Sequence, residues 1–300
     1  MKAAQFKEYG GPNVLELVEI DEPHAGPGEI RIAVRAAGVN SMDWKVRSGN
    51  MQEMMPLSLP AGSGLDAAGI VDEIGDGVDG IALGDAVFGI GTNTYAEHAV
   101  LGEWARKPDG LSFAEAAGFP VPVATAQRIL DLVGVKAGQT VLISGAAGGV
   151  GSAAVQFALE RGARVIGTAS EANQSYLKDL GAIPTTYGEG LVTRVRDLAP
   201  GGVDAALDIA GSGVIPQLIE LTGDASKVVS IADFTAGEHG AQVSSDPGDR
   251  TAALAEGARL FEAGMLRLPV ANRFTLKEAS AAHEASQIGH VAGRTVIVIN

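Results

Sequence analysis

Cysteine is absent from the 300 residues, which excludes disulfides, a thiolate nucleophile and any zinc site built on sulfur. The five histidines, His24, His98, His239, His283 and His290, show no metal-ligand spacing, so no metal site is expected. Positive charge is scarce: 22 Lys and Arg against 36 Asp and Glu leave a formal charge of -14. A phosphate backbone is held by a basic face, so nucleic acid is excluded as a partner, and the acidic excess mainly serves solubility. No apolar run approaches about eighteen residues. The start, Met1-Lys2-Ala3-Ala4-Gln5, has no signal-peptide core, so a cytoplasmic location and no membrane association are expected.

What is present is apolar and rich in glycine. Hydrophobic residues make up 46% of the chain, enough to bury a sizeable core in one large or two ordinary domains. Up to about residue 100, short alternating apolar segments at 14–20, 30–34, 68–74, 86–88 and 95–100 are separated by Gly, Pro and Asp turns, which predicts a compact β-rich domain. Beyond residue 113, helical periods at 125–133, 150–161, 174–180 and 214–221 alternate with strand-like runs at 141–144, 164–168, 205–209 and 227–231. Such alternation predicts an α/β domain with a doubly wound parallel sheet. A last strand, 295–299, can return to the first domain.

The most informative run is Val141-Leu142-Ile143-Ser144-Gly145-Ala146-Ala147-Gly148-Gly149-Val150-Gly151. It joins a buried strand to a helix through a loop nearly without side chains, and Val150, Ala153, Ala154, Phe157 and Ala158 continue at helical spacing. The helix start aims free amides and the positive end of its dipole at the loop, so a pyrophosphate is its natural occupant, with Ala146, Ala147, Gly148, Gly149 and Val150 as the cradle. Alanine stands at the first position of the G-x-G-x-x-G fingerprint, and by itself the run reads equally well as a tight turn. The strand 164–169 then closes a βαβ unit about thirty residues long, the context a dinucleotide site requires. Where an acidic residue would bind the ribose 2'-hydroxyl, this chain has Ala169 followed by Ser170, which admits the 2'-phosphate of NADPH; Glu171 opposes it.

Five further motifs occur in order: Ala37-Gly38-Val39-Asn40-Ser41-Met42-Asp43, Gly64-Leu65-Asp66-Ala67-Ala68-Gly69-Ile70-Val71, Gly84-Asp85-Ala86-Val87-Phe88-Gly89, Tyr95-Ala96-Glu97, and Val135-Lys136-Ala137-Gly138-Gln139-Thr140-Val141 leading into the glycine loop. Together they make the chain resemble the zinc-independent quinone oxidoreductase branch of the medium-chain dehydrogenase/reductase superfamily over nearly its whole length. The resemblance implies a GroES-like β-rich domain over 1–120 and 267–300, a Rossmann domain over 121–266 with a cleft between them, and a homodimer. It places Asn40 before the nicotinamide, where its amide can donate to a carbonyl or quinone oxygen as charge develops; capping its own backbone is the alternative. Lys45, where relatives often carry tyrosine, can protonate or polarise an oxygen or extend into solvent.

By the same resemblance Thr125 approaches the nicotinamide or caps a helix, and Tyr187 lies near the adenosine ribose. Arg294 can reach a cofactor phosphate, and Lys178 is either a second such group or a solvated helix residue. Relatives often carry arginine where this chain has Ala172. Ile209, Ala210, Ile231 and Ala232 end later strands, where ligands collect in open α/β sheets. Asp43 is expected to orient backbone or Lys45, Asp66 and Glu97 to stabilise turns, and His98, His283 and His290 to be structural, without an acid partner. Met51, Met54, Met55 and Leu57 form a lid or pack on the core. The expected activity is NADPH-dependent hydride transfer, without metal or flavin, to a quinone or an α,β-unsaturated carbonyl. The alternative is an NADPH-binding sensor or interaction protein with little turnover.

Overall fold

The computed structural model describes residues 1–289 and 291–299. The chain divides into two compact units, one of Met1–Val121, Arg250–Ala263 and Leu268–Asn300, the other of Pro122–Asp249 and Gly264–Arg267. The first unit opens with β1 (Lys2–Phe6), β2 (Glu16–Glu19), β3 (Ile30–Val39), α1 (Ser41–Arg47), β4 (Ala61–Gly62), β5 (Asp66–Ile74), β6 (Ala86–Gly91), β7 (His98–Arg106) and α2 (Phe113–Ala116). The helix α3 (Pro120–Leu132) leads into the second unit: β8 (Thr140–Ser144), α4 (Gly149–Glu160), β9 (Arg164–Thr168), α5 (Gln174–Asp179), β10 (Ile183–Thr185), α6 (Leu191–Leu198), β11 (Ala205–Asp208), α7 (Ile215–Thr222), β12 (Val228–Ser230) and β13 (Gln242–Val243). Then α8 (Arg250–Glu262), β14 (Val270–Thr275), α9 (Ala279–Ile288) and β15 (Arg294–Val298) complete the first.

In the first unit a six-stranded sheet runs β14-β15-β3-β5-β6-β7, and a further β3–β7 pairing closes four of its strands on themselves. Closure removes exposed edges and encloses a core of Phe6, Ile30, Ile32, Leu101 and Ile297. Two registers position the functional side chains. Antiparallel pairing of Gly38 with Asp66 sets the start of β5 beside the end of β3, and pairing of Thr295 with Val39 brings β15 to the same place. Asn40, Asp66 and Arg294, distant in sequence, therefore start or follow neighbouring strand ends.

The second unit is a parallel sheet, β10-β9-β8-β11-β12-β13, in which chain order runs outward in both directions from β8. That reversal is the switch point at which α/β sheets bind ligands beyond their carboxyl ends. Ser144, Asp208 and Ser230 lie in register there. Helix α4 is buried continuously from Gly151 to Ala158; most of that stretch is Ala, Val and Phe, and its polar Gln156 donates to the Ser152 carbonyl at 2.9 Å.

The expected β-rich and doubly wound parts are both present. The helix α8, which the sequence places in the second domain, belongs instead to the first unit, where Phe261 packs edge-on against Phe119 at 6.1 Å and Arg250 pairs with Glu103 at 3.4 Å. Among the described residues no helix is long and apolar enough to cross a membrane.

Candidate functional site

The second unit holds the loop anticipated for a pyrophosphate. Gly148, extended at φ -72° and ψ 174°, caps α4 without a side-chain bond. The N–H groups of Gly149, Val150 and Gly151 have no acceptor among the described residues, so three donors at the positive end of a twelve-residue helix await an anion. Gly151 must be glycine, since a Cβ there would collide with the Gly145 carbonyl oxygen and the Ala146 Cα. The loop is fastened from behind: Ala146 N–H donates to Thr168 O at 3.0 Å and Gly145 N–H to Thr168 Oγ1 at 3.2 Å. Below it, Tyr176 Oη donates to Ser152 Oγ at 3.0 Å, which donates to Ala147 O at 3.2 Å. Ala146 and Ala147 are buried and build the turn, while Gly148, Gly149 and Val150 are half-exposed and reachable. This cradle fits the diphosphate of a dinucleotide.

The neighbouring strand ends are built with equal care. Buried Asp208 accepts from Gly211 N–H at 3.0 Å and from Ser230 Oγ at 2.8 Å, and Ser230 Oγ in turn accepts from Ala232 N–H at 3.1 Å and Asp233 N–H at 2.9 Å. The pair ties the 209–211 turn to the 231–233 turn, so Ile209, Ala210, Ile231 and Ala232 present backbone from a fixed frame. At the end of β9, Ala169 is buried, Ser170 half-buried and Glu171 exposed. Gln174 Nε2 donates to Ala169 O, Ser170 O and Thr185 O at 2.9, 3.1 and 3.2 Å. Arg194 donates to the carbonyls of Thr186, Tyr187 and Glu189 at 3.0, 3.3 and 2.7 Å, which shapes the turn carrying exposed Tyr187. Lys178 is exposed on α5. Asp208, Ser230, Gln174 and Arg194 were not read from the sequence as site-shaping residues; for the first two, their coincidence at adjacent carboxyl ends of parallel strands was the available signal.

A polar cluster occupies the first unit. Asn40 Nδ2 donates to Asp66 Oδ2 at 3.0 Å, Arg294 Nη2 donates to Asn40 Oδ1 at 2.9 Å and to Asp66 Oδ2 at 3.1 Å, and Val121 N–H donates to Asp66 Oδ1 at 2.9 Å. Asp43 Oδ2 accepts both the Asn40 N–H and the Tyr95 hydroxyl at 2.8 Å. All five side chains are buried. Burial pushes the Asp43 carboxyl up to about 7, against the opposing bonds from Asn40 and Tyr95, and the Asp66 carboxyl up to about 6 against the charge of Arg294. Burial likewise lowers Arg294, with Asp66 and Asp43 opposing it.

Several expectations change. Asp66 holds the first turn of α3 through the Val121 N–H and is also the hub of this cluster. Arg294, expected to reach a cofactor phosphate, is buried with its charge answered by Asp66 at 3.1 Å. Thr125 cannot cap a helix start, because it lies inside α3, buried. Asp43 orients the Asn40 backbone and Tyr95, and Lys45 instead lies with Nζ 5.9 Å from the centre of the Trp44 ring. Glu97 accepts the Lys2 N–H at 2.7 Å. His98 does have acid partners, with Nδ1 2.8 Å from Asp72 and Nε2 4.0 Å from Glu22. His283 is buried, which pushes it down to about 3 beside the charge of Arg47; His290 lies outside the described residues. Met51 is buried and Leu57 packs on the core, while Met54 and Met55 are exposed.

A family model described as the alcohol dehydrogenase GroES-like domain matches residues 26–121, and one described as zinc-binding dehydrogenase matches residues 149–247. Over 326 aligned residues the chain is 30% identical to the quinone oxidoreductase of Pseudomonas aeruginosa, and the match covers 99% of each chain. The chain belongs to the quinone oxidoreductase-like branch of the medium-chain dehydrogenase/reductase superfamily. This branch member is also 34% identical over 319 residues to the spectinabilin polyketide synthase system protein NorB of Streptomyces orinoci. That match takes in 97% of the chain, which spans only 14% of that relative's length. The fold aligns with the quinone oxidoreductase of Escherichia coli, solved in complex with NADPH, with a TM-score of 0.87 at 26% identity, covering 99% of this chain and 100% of the other. Family membership and the NADPH-complexed relative support a nicotinamide cofactor for this quinone oxidoreductase-like chain.

Proposed function

We propose that the chain is an NADPH-dependent reductase that delivers hydride to a quinone or to the C=C bond of an α,β-unsaturated carbonyl. The observation that carries this reading is the set of three unbonded amides at the start of α4, in a tight turn that glycine at Gly151 permits. Family membership and the NADPH complex of the E. coli relative support it. A bound nicotinamide dinucleotide supplies the hydride, so the chain's own residues bind, orient and exclude water.

Gly149 and Val150, half-exposed at the start of α4, hold the diphosphate. Ala169, buried and uncharged, leaves the 2' position without a competing carboxylate, and Ser170 adds a hydroxyl beside it; Glu171, exposed, reduces the preference without abolishing it. Asn40 retains one carboxamide hydrogen after bonding Asp66, and this hydrogen serves the acceptor oxygen, where negative charge grows as hydride arrives at the conjugated carbon. Lys45, half-buried, is the second candidate for that oxygen. The activity is assayed by following NADPH and NADH oxidation with a panel of 1,2- and 1,4-quinones and short enones. Turnover of panel members with NADPH exceeding NADH is expected. No turnover on any member overturns the enzyme assignment, and equal or faster turnover with NADH overturns the cofactor preference.

A further inference from the structure

Asn40 is held at both ends. Its backbone N–H is bound by Asp43 at 2.8 Å, and its carboxamide sits between a carboxylate and a guanidinium, Nδ2 on Asp66 at 3.0 Å and Oδ1 on Arg294 Nη2 at 2.9 Å. Turned over, the carboxamide would set its NH2 against a guanidinium, which has no acceptor, and its oxygen against an ionised carboxylate, which has no donor. Charge thus fixes one of two orientations. The frame around it is stiff: Asp66 Oδ1 is bound by Val121 N–H at 2.9 Å, Asp66 and Arg294 pair at 3.1 Å, and the Asp66 side chain packs on Gly38 so closely that a Cβ there would come within 2.8 Å of the Asp66 Cβ.

We propose that Asp66 and Arg294 are positioning residues that lock the Asn40 carboxamide in one orientation, so that it offers a ligand the free N–H of Nδ2. Only one Nδ2 hydrogen is used by Asp66, and the other has no acceptor among the described residues, while Oδ1 is turned to Arg294. A site built this way favours ligands that bring an acceptor oxygen to the free N–H, as in a quinone or conjugated carbonyl. The inference rests on the reading of Asn40 as the group that faces substrate.

The lock is read directly from the side-chain amide signals of the 15N-labelled full chain, with and without NADPH, the Asn40 pair being assigned by its loss in Asn40→Ala. A pair that exchanges slowly with solvent is expected, and faster exchange is expected in Asp66→Asn. Because that variant leaves the Arg294 guanidinium buried and unpaired, the double variant Asp66→Asn with Arg294→Gln, which removes both charges, is measured beside it. In whichever variant folds, kcat on the quinone and enone panel should fall by about a hundredfold, as for a group displaced within a reacting site, with NADPH affinity unchanged. Solvent exchange of the Asn40 pair in the wild type as fast as for an exposed asparagine, or full kcat in a folded variant, overturns the proposal. Absence of turnover in the wild type counts against the proposed activity, and amide exchange then decides the lock by itself.

Discussion

At the scale of single residues, buried titratable groups set opposing dependences of stability on pH. Asp43 keeps its proton up to about 7 and Asp66 up to about 6 in the folded chain, whereas both lose it near about 4 when unfolded. Between these values the folded state binds more protons than the unfolded one, so the two carboxyls make stability fall as pH rises. His283, pushed down to about 3, acts in the other direction: it stays neutral while the unfolded imidazole charges below about 6.5, so stability falls as pH drops through that window. Asp43→Asn keeps the shape of the side chain and removes one carboxyl. Its melting temperature should gain steadily on the wild type as pH rises from about 4 to about 7 and hold a constant difference above that. A constant difference across the whole range would contradict the buried titration of Asp43. The cofactor end yields a second substitution, Ala169→Asp. A carboxylate near a 2'-phosphate costs between about 1 and 4 kcal/mol at about 4 Å, so kcat/KM for NADPH should drop by about tenfold or more, with NADH favoured. Unchanged selectivity would remove Ala169 from the adenosine site.

At the scale of elements, the β8 to α4 turn combines a helix dipole, unbonded amides and a backbone approach that only glycine permits. Gly151→Ala sets a methyl against the Gly145 carbonyl oxygen and the Ala146 Cα. Both are backbone, so relief requires the loop itself to move. An overpacking cost of roughly 1–3 kcal/mol is expected, seen as a lower melting temperature together with weaker NADPH binding by titration calorimetry. Wild-type stability in Gly151→Ala would show that the loop is looser than its geometry indicates. The same turn was the most legible feature of the chain, because strand, loop and helix are contiguous and each has its own periodicity. The Asn40 cluster was legible only in part. Asn40 and Asp66 fall in quoted motifs, but their partner Arg294 comes from β15, and only the β3–β15 and β3–β5 registers bring the three together. Long-range register leaves no local sequence signal.

For the molecule as a whole, alternation of strands and helices was sufficient to anticipate the parallel sheet, and the turn-punctuated texture of the first hundred residues the β-rich unit. Neither signal reports which strands close on one another, so the β3–β7 pairing was not anticipated. Helix α8 follows the parallel-sheet segment in the chain yet packs in the other unit through Phe261 and Arg250, an outcome decided by tertiary contacts rather than by its own pattern. The homodimer implied by the resemblance is part of the proposed reading; sedimentation should give twice the 30.5 kDa chain mass, and a monomer would remove it.

The central claim is direct hydride delivery from NADPH to a conjugated carbon, and its most direct test uses an enone with NADPH carrying deuterium on the transferred position of nicotinamide C4. The account predicts a saturated product with one deuterium at the β-carbon and a slowed turnover. A saturated product without deuterium at that carbon would contradict it.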